Sequence, residues 1–153
     1  MKIEDSFDVA APRERVWKLI TDPDTVAGCV PGCDGIEVVS DTLYRARVSV
    51  KVGPIKASFN MEVELTGETP PEEVRSKSRG EEGSRASTVS SENLLRLEEI
   101  DAGNTRVFYH AEVSVVGRLG KFGLGVMKKK AESLGRDFAA CFKEKAELAE
   151  TSA

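Results

Sequence analysis

RLGKFGLGVMKKKAESLGRDFAACFKEKAEL, residues 118–148, reads as one long helix against which the rest of the chain must fold. Wound at about 100° per residue, it gathers Leu119, Phe122, Val126, Met127, Leu134, Phe138, Cys141 and Leu148 on a broad apolar stripe. Lys128, Lys129, Glu132, Arg136, Lys143 and Glu147 fall off that stripe. Such a helix needs a large apolar surface to lie on. Its first turns carry Gly117, Gly120, Gly123 and Gly125 among apolar residues, although each glycine inside a helix costs about 1 kcal/mol relative to alanine. Gly120 and Gly123 fall toward the apolar side, so this end of the helix is expected to be thin.

Upstream the period changes from helical to two. Residues 44–52 place Tyr44, Ala46, Val48, Val50 and Val52 on one face and Arg45, Arg47, Ser49 and Lys51 on the other, the pattern of a half-buried strand. Gly53-Pro54 interrupts it, and Ile55, Ala57, Phe59, Met61, Val63 and Leu65 then alternate with polar residues, which predicts an antiparallel pair. A weaker strand over 73–79, a turn at Gly80-Glu81-Glu82-Gly83 and a strand from 84 to 98 follow. After a turn at Asp101-Ala102-Gly103-Asn104, the last strand sets Val107, Tyr109, Ala111, Val113 and Val115 inward. At the other end, residues 2–10 form a first strand through Ile3, Phe7 and Val9. Pro12 then opens a short helix with Val16, Leu19 and Ile20 on one face. Asp22-Pro23 ends it, residues 24–28 allow a further turn or two, and Cys29 to Gly35 reads as a turn.

The order is therefore strand, short helices, six antiparallel strands and one long terminal helix. A single amphipathic helix and one apolar sheet face make an α+β fold in which the curved antiparallel sheet wraps around the helix. One domain is expected over 1–148, with a short disordered tail at 149–153. The inward side chains are uneven: Val48, Val50, Phe59, Met61 and Tyr109 are bulky, whereas the middle strands offer Val74, Ser76, Ser78, Ala86, Thr88 and Ser90. Small residues facing a helix end thinned by Gly120 and Gly123 leave volume for a mostly apolar ligand with a few polar contacts. The competing reading is that neighbouring large side chains fill that space.

Composition narrows the function classes. The 22 basic residues against 26 acidic ones give a net charge of −4, which argues against a dedicated nucleic-acid binder. Three cysteines behind a polar, alternating N-terminus predict a reducing, cytoplasmic setting. No apolar run approaches the roughly 20 residues that span a bilayer, so any membrane contact is expected to be peripheral. Arg118, Lys121, Lys128 and Lys129 nonetheless form a basic start to the helix with no acidic residue among them, suited to an anionic membrane surface or an acidic partner, or simply to solvent. Lys130 falls nearer the apolar stripe.

No catalytic or metal site is read. Cys29 and Cys33 are read as two packed thiols holding a loop at the pocket mouth. A structural zinc needs four ligands, and only Cys141 and His110 remain to complete it. His110, the single histidine, falls on the outward face with Arg106, Phe108 and Glu112, away from the pocket. Tyr109, inward, is the better polar contact for a buried carbonyl. The glycines at 117–125 lack the order and the setting of a dinucleotide fingerprint.

The order of elements resembles the START-like, helix-grip (SRPBCC) superfamily of polyketide cyclases and lipid-transfer proteins. Three motifs, Cys29-Val30-Pro31-Gly32-Cys33, the run from Val50-Lys51-Val52-Gly53-Pro54 to Phe59, and Gly117-Arg118-Leu119-Gly120-Lys121-Phe122-Gly123, resemble the carbon monoxide dehydrogenase CoxG family. The resemblance implies a non-catalytic, cytoplasmic accessory protein of a molybdenum hydroxylase such as carbon monoxide dehydrogenase. It would hold a hydrophobic ligand, expected to be an isoprenoid respiratory quinone and not a covalent cofactor, and relay electrons or recruit the enzyme to the membrane. The candidate ligand-binding set is Val30, Val48, Val50, Phe59, Met61, Ser76, Ser78, Thr88, Tyr109, Gly120, Phe122, Gly123, Val126 and Met127. Some relatives carry a long C-terminal extension that this sequence lacks after Thr151-Ser152-Ala153, so docking is expected to use the domain itself. A cyclase- or aromatase-like enzyme and a maturation factor with an incidental pocket stay open beside this reading.

Overall fold

In the computed structural model, which describes residues 1–83 and 86–151, the change of period is a change of layer. β1 (Lys2–Val9) is followed by α1 (Arg13–Ile20), α2 (Pro23–Cys29), β2 (Cys33–Val38), β3 (Leu43–Val52), β4 (Ile55–Thr69), β5 (Glu73–Glu82), β6 (Ser87–Asp101) and β7 (Asn104–Gly117). A 3-10 turn at Leu119–Phe122 leads into α3 (Leu124–Thr151). The strands form one curved antiparallel sheet in the order β1-β7-β6-β5-β4-β3-β2. The chain thus lays β1 at one edge and crosses to the other through α1 and α2. From β2 it meanders back until β7 lies beside β1.

Local chemistry sets the crossover. Pro12, extended, precedes the first turn of α1. The Asp22 carboxylate caps α2, accepting from the Thr25 N–H at 3.3 Å and its hydroxyl at 2.6 Å, with Pro23 in the first helical position. The outward face of the sheet is charged and its pairs match the register: Asp8 accepts from Arg106 at 2.9 and 3.3 Å, and His110 Nδ1 lies 2.8 Å from Glu4 Oε1.

Two apolar clusters fill the two ends of the inner face. One joins Val9, Val16, Ile20, Leu97, Val107, Phe142 and Ala146. Phe142 stacks on Phe138 at 5.9 Å between ring centres and meets Phe7 edge-on at 6.3 Å. The other joins Val52, Ala57, Phe59 and Leu119, with Val50, Met61, Phe122 and Met127 packed against it.

The terminal segment differs from a single helix. Gly117, at φ 97°, lets the chain pass against the Ala86 carbonyl, which then accepts from Arg118 N–H at 2.8 Å. Gly123, at φ 87°, ends the 3-10 turn and redirects the chain into α3. The buried stripe of α3 also differs. Phe142 and Ala146 are fully buried, whereas Val126 is 46% and Leu148 59% exposed. The break at Gly123 releases α3 from the register of the preceding turn. α3 runs to Thr151, past the expected boundary at 148, while residues 152 and 153 of the expected tail lie outside the described residues.

Three further expectations change. Gly80 to Glu82 belong to β5 and not to a turn, because Gly80 leaves the space that the Met61 side chain occupies. β6 is read in the wrong phase from the sequence. Asn93 pairs with Ala111, Leu95 with Tyr109 and Leu97 with Val107, so Ser87, Val89, Ser91 and Asn93 share the inner face, and Thr88 and Ser90 the outer. Cys29 and Cys33 are not paired thiols at one loop. Cys29 forms a disulfide with Cys141, Cα–Cα 5.4 Å, tying α2 to α3, and Cys33 already belongs to β2, where its thiol donates to Gly35 O at 3.4 Å.

Candidate functional site

Between the two clusters the inner face is not filled. A cavity of about 280 Å³ lies between the sheet, α1–α2 and the middle of α3. Val63, Leu65, Val74, Leu95 and Ala111 supply its apolar sheet wall, and Ile20, Val26 and Phe138 close it from the helices. The gap has a packing cause: the aromatic rings are committed to the ends, and the sheet between them carries Ser76, Ser78, Asn93 and Ala111. Broader hollows on the opposite face, lined by residues such as Glu62, Lys77 and Glu92, are open and charged.

Polar groups in the wall are few and ordered. Asn93 of β6 pairs with Ser76 of β5, and its amide donates to Ser76 Oγ at 3.2 Å and Ser78 Oγ at 3.1 Å. Tyr109 stands between β7 and α3 beside Gly135, where a Cβ would lie 2.6 Å from the tyrosine hydroxyl. Gly135 therefore makes room for Tyr109, which offsets its poor helix propensity. Burial pushes the Tyr109 phenol above its ordinary pKa; the carboxylates of Asp5 and Glu132 add to this, and Arg136 opposes it. Tyr44, on the β3 side, is raised first by burial and then by Glu68 and Asp41. Both phenols are hydrogen-bond donors at neutral pH. Of the ionisable residues at the rim, Asp22 is engaged in capping α2, Glu68 is exposed, and the His110 ring is held by Glu4 on the outer face.

Of the candidate residues, Ser76 and Tyr109 line this cavity and Ser78 is bound to its wall through Asn93. Val50, Phe59, Met61, Phe122 and Met127 sit together in the second cluster instead. Val48 pairs with Phe59 and Cys33, Val30 follows the last turn of α2, Thr88 is on the outer face and Val126 is exposed. Gly120 is packed, since a Cβ there would lie 3.0 Å from Val115 O, and Gly123 faces open space. The glycine-rich start therefore lies outside the wall of this cavity. Sequence reasoning missed Asn93, Tyr44 and Gly135; a lone glycine inside the helical period was the one available signal for the last.

Arg118 turns back, its Nη2 3.0 Å from both carboxylate oxygens of the buried Glu82. Lys121, Lys128 and Lys129 remain exposed, beside Val116 (63% exposed), Leu124 (73%) and Val126. Among the described residues no helix is long and apolar enough to cross a membrane.

Comparison with known proteins agrees with this architecture. The family model for carbon monoxide dehydrogenase CoxG matches residues 6–147. A conserved protein from Geobacillus kaustophilus superposes with a TM-score of 0.88 at 23% identity, covering 95% of each chain. A START superfamily protein from Mycobacterium smegmatis gives 0.74 at 14% identity, over 97% of this chain and 98% of its own. The Zhui aromatase/cyclase from Streptomyces sp. R1128 gives 0.70 at 17%, over 96% and 93%. These likenesses establish a START-like fold. Comparison with curated proteins finds no match.

Proposed function

Because the chain belongs to the carbon monoxide dehydrogenase CoxG family, we propose that it is a non-catalytic carrier of an apolar small molecule serving a molybdenum hydroxylase such as carbon monoxide dehydrogenase. The ligand we assign is an isoprenoid respiratory quinone. The observation that carries this reading is the cavity of about 280 Å³ with an apolar wall and a small number of fixed polar groups. That volume lies just under the roughly 300–1,000 Å³ typical of small-molecule pockets. It suits a quinone ring, and the isoprenoid tail would leave through the mouth. The lack of a free acid–base group in the wall favours carriage over catalysis, since Asp22 and His110 are already engaged on other partners.

In this reading the protein works in the cytoplasm and meets the inner face of the membrane through Lys121, Lys128 and Lys129 with Leu124 and Val126. Electrons or the enzyme itself would be delivered there. Lipid extraction of protein purified from its own cells, followed by titration of the stripped protein with a quinone, tests the ligand. Quinone in substantial molar proportion and saturable binding are expected. A stripped protein that takes up neither quinone nor any other apolar probe would overturn the proposal.

A further inference from the structure

We infer that Asn93, Ser76 and Ser78 read an oxygen of the bound molecule, so that the cavity selects a ring bearing a carbonyl or hydroxyl over the corresponding hydrocarbon. This rests on the cavity being a ligand site. The Asn93 amide spends its N–H donors on two serine oxygens, 3.2 and 3.1 Å away. Each serine hydroxyl then keeps its own O–H donor, and the amide oxygen keeps its lone pairs. Turning the amide over exchanges the roles, with the hydroxyls donating to the oxygen and the N–H groups left over. In either arrangement hydrogen-bond donors remain unspent in a wall whose neighbours are Val63, Leu65, Val74 and Leu95.

In solution, water satisfies those donors. A hydrocarbon that displaces it leaves them unpaired, whereas a carbonyl oxygen replaces it. The group is also held in place before any ligand arrives, because Ser76 and Asn93 are register partners on adjacent strands and Ser78 is the next inward residue of β5. A serine pair serving strand stability alone would not require an amide bridging both.

The test uses the full chain, stripped of lipid, and two probes of one shape: 2-methyl-1,4-naphthoquinone and 2-methylnaphthalene, titrated calorimetrically. The wild type should bind the quinone at least tenfold more tightly. In Asn93→Leu that preference should vanish, the quinone weakening at least tenfold and the hydrocarbon holding or tightening. If Asn93→Leu does not fold, the Ser76→Ala/Ser78→Ala pair, which adds no volume, carries the same expectation. Equal affinity of the wild type for both probes, or a folded variant that keeps its preference, would overturn the inference while leaving the cavity as an apolar site. If neither probe binds the wild type, the ligand site itself is wrong and this inference falls with it.

Discussion

A glycine at φ 87° with no atom within 4 Å of its missing Cβ has a backbone role and no packing one, and that is the position of Gly123. Gly123→Leu forces an L residue into the left-handed region, at a cost of about 1–2 kcal/mol. The side chain would not enter the cavity. Thermal melting should therefore show a loss of that size while quinone affinity stays unchanged; a stable variant that no longer binds would return this residue to the ligand's wall. Tyr44 and Tyr109 give a second residue-scale expectation, since they are the chain's 2 tyrosines and both phenols are raised above their ordinary pKa, chiefly by burial. The folded protein binds these protons more tightly than the unfolded chain. Their contribution to stability is complete below about pH 10 and is lost as pH rises through the folded values. Phenolate absorbance should accordingly rise at higher pH in the native protein than in denaturant. Coincident titrations would show that neither phenol is buried.

At the scale of elements, α3 and β6 mark what patterning reveals and what it hides. Strands β3, β4 and β7 were legible in phase because Val48 to Val52, Ala57 to Leu65 and Val107 to Val115 alternate without exception. β6 was not, because serine, threonine and asparagine occupy both of its faces over 87–93. Only its pairing with β7 decides which set is inside. The cavity's polar wall lies in that ambiguous stretch, so Asn93 escaped the sequence reading and Thr88 was included. The helix hid its functional glycine in a similar way: four glycines clustered at its start drew attention from Gly135, whose partner Tyr109 lies on another element. Gly135→Ala alone sets a helix-propensity gain of up to about 1 kcal/mol against displacement of the phenol. In a Tyr109→Phe background, with the hydroxyl gone, most of that gain should appear. Melting the two singles and the double should thus give a coupling of about 0.5 kcal/mol or more. Additive effects would mean that the helix and the tyrosine do not touch.

Taken whole, the molecule is acidic with a net charge of −4, yet residues 113–131 contain no carboxylate and carry the exposed Lys121, Lys128 and Lys129 beside exposed Val116, Leu124 and Val126. The basic start of the helix was legible from composition. What was not legible is that Arg118 is spent on the buried Glu82 and that the apolar residues between the lysines face outward because α3 begins anew after Gly123. This patch and the cavity are far apart on α3. Leu124 and Phe138 are separated by about 21 Å at 1.5 Å per residue. Docking and ligand binding should therefore be separable. Vesicles containing anionic lipid should sediment the protein more than zwitterionic vesicles do, and the difference should fade as salt shortens the screening length toward about 8 Å. Each lysine near such a surface contributes about 1 kcal/mol, so Lys128→Gln with Lys129→Gln should weaken partitioning about 30-fold at low salt. Leu124→Ser with Val126→Ser should weaken it on both lipid types and leave quinone titration untouched, while Asn93→Leu should do the reverse. Indifference of the protein to lipid charge, or loss of quinone binding in the Leu124/Val126 variant, would show that this end of the molecule is not an independent docking surface.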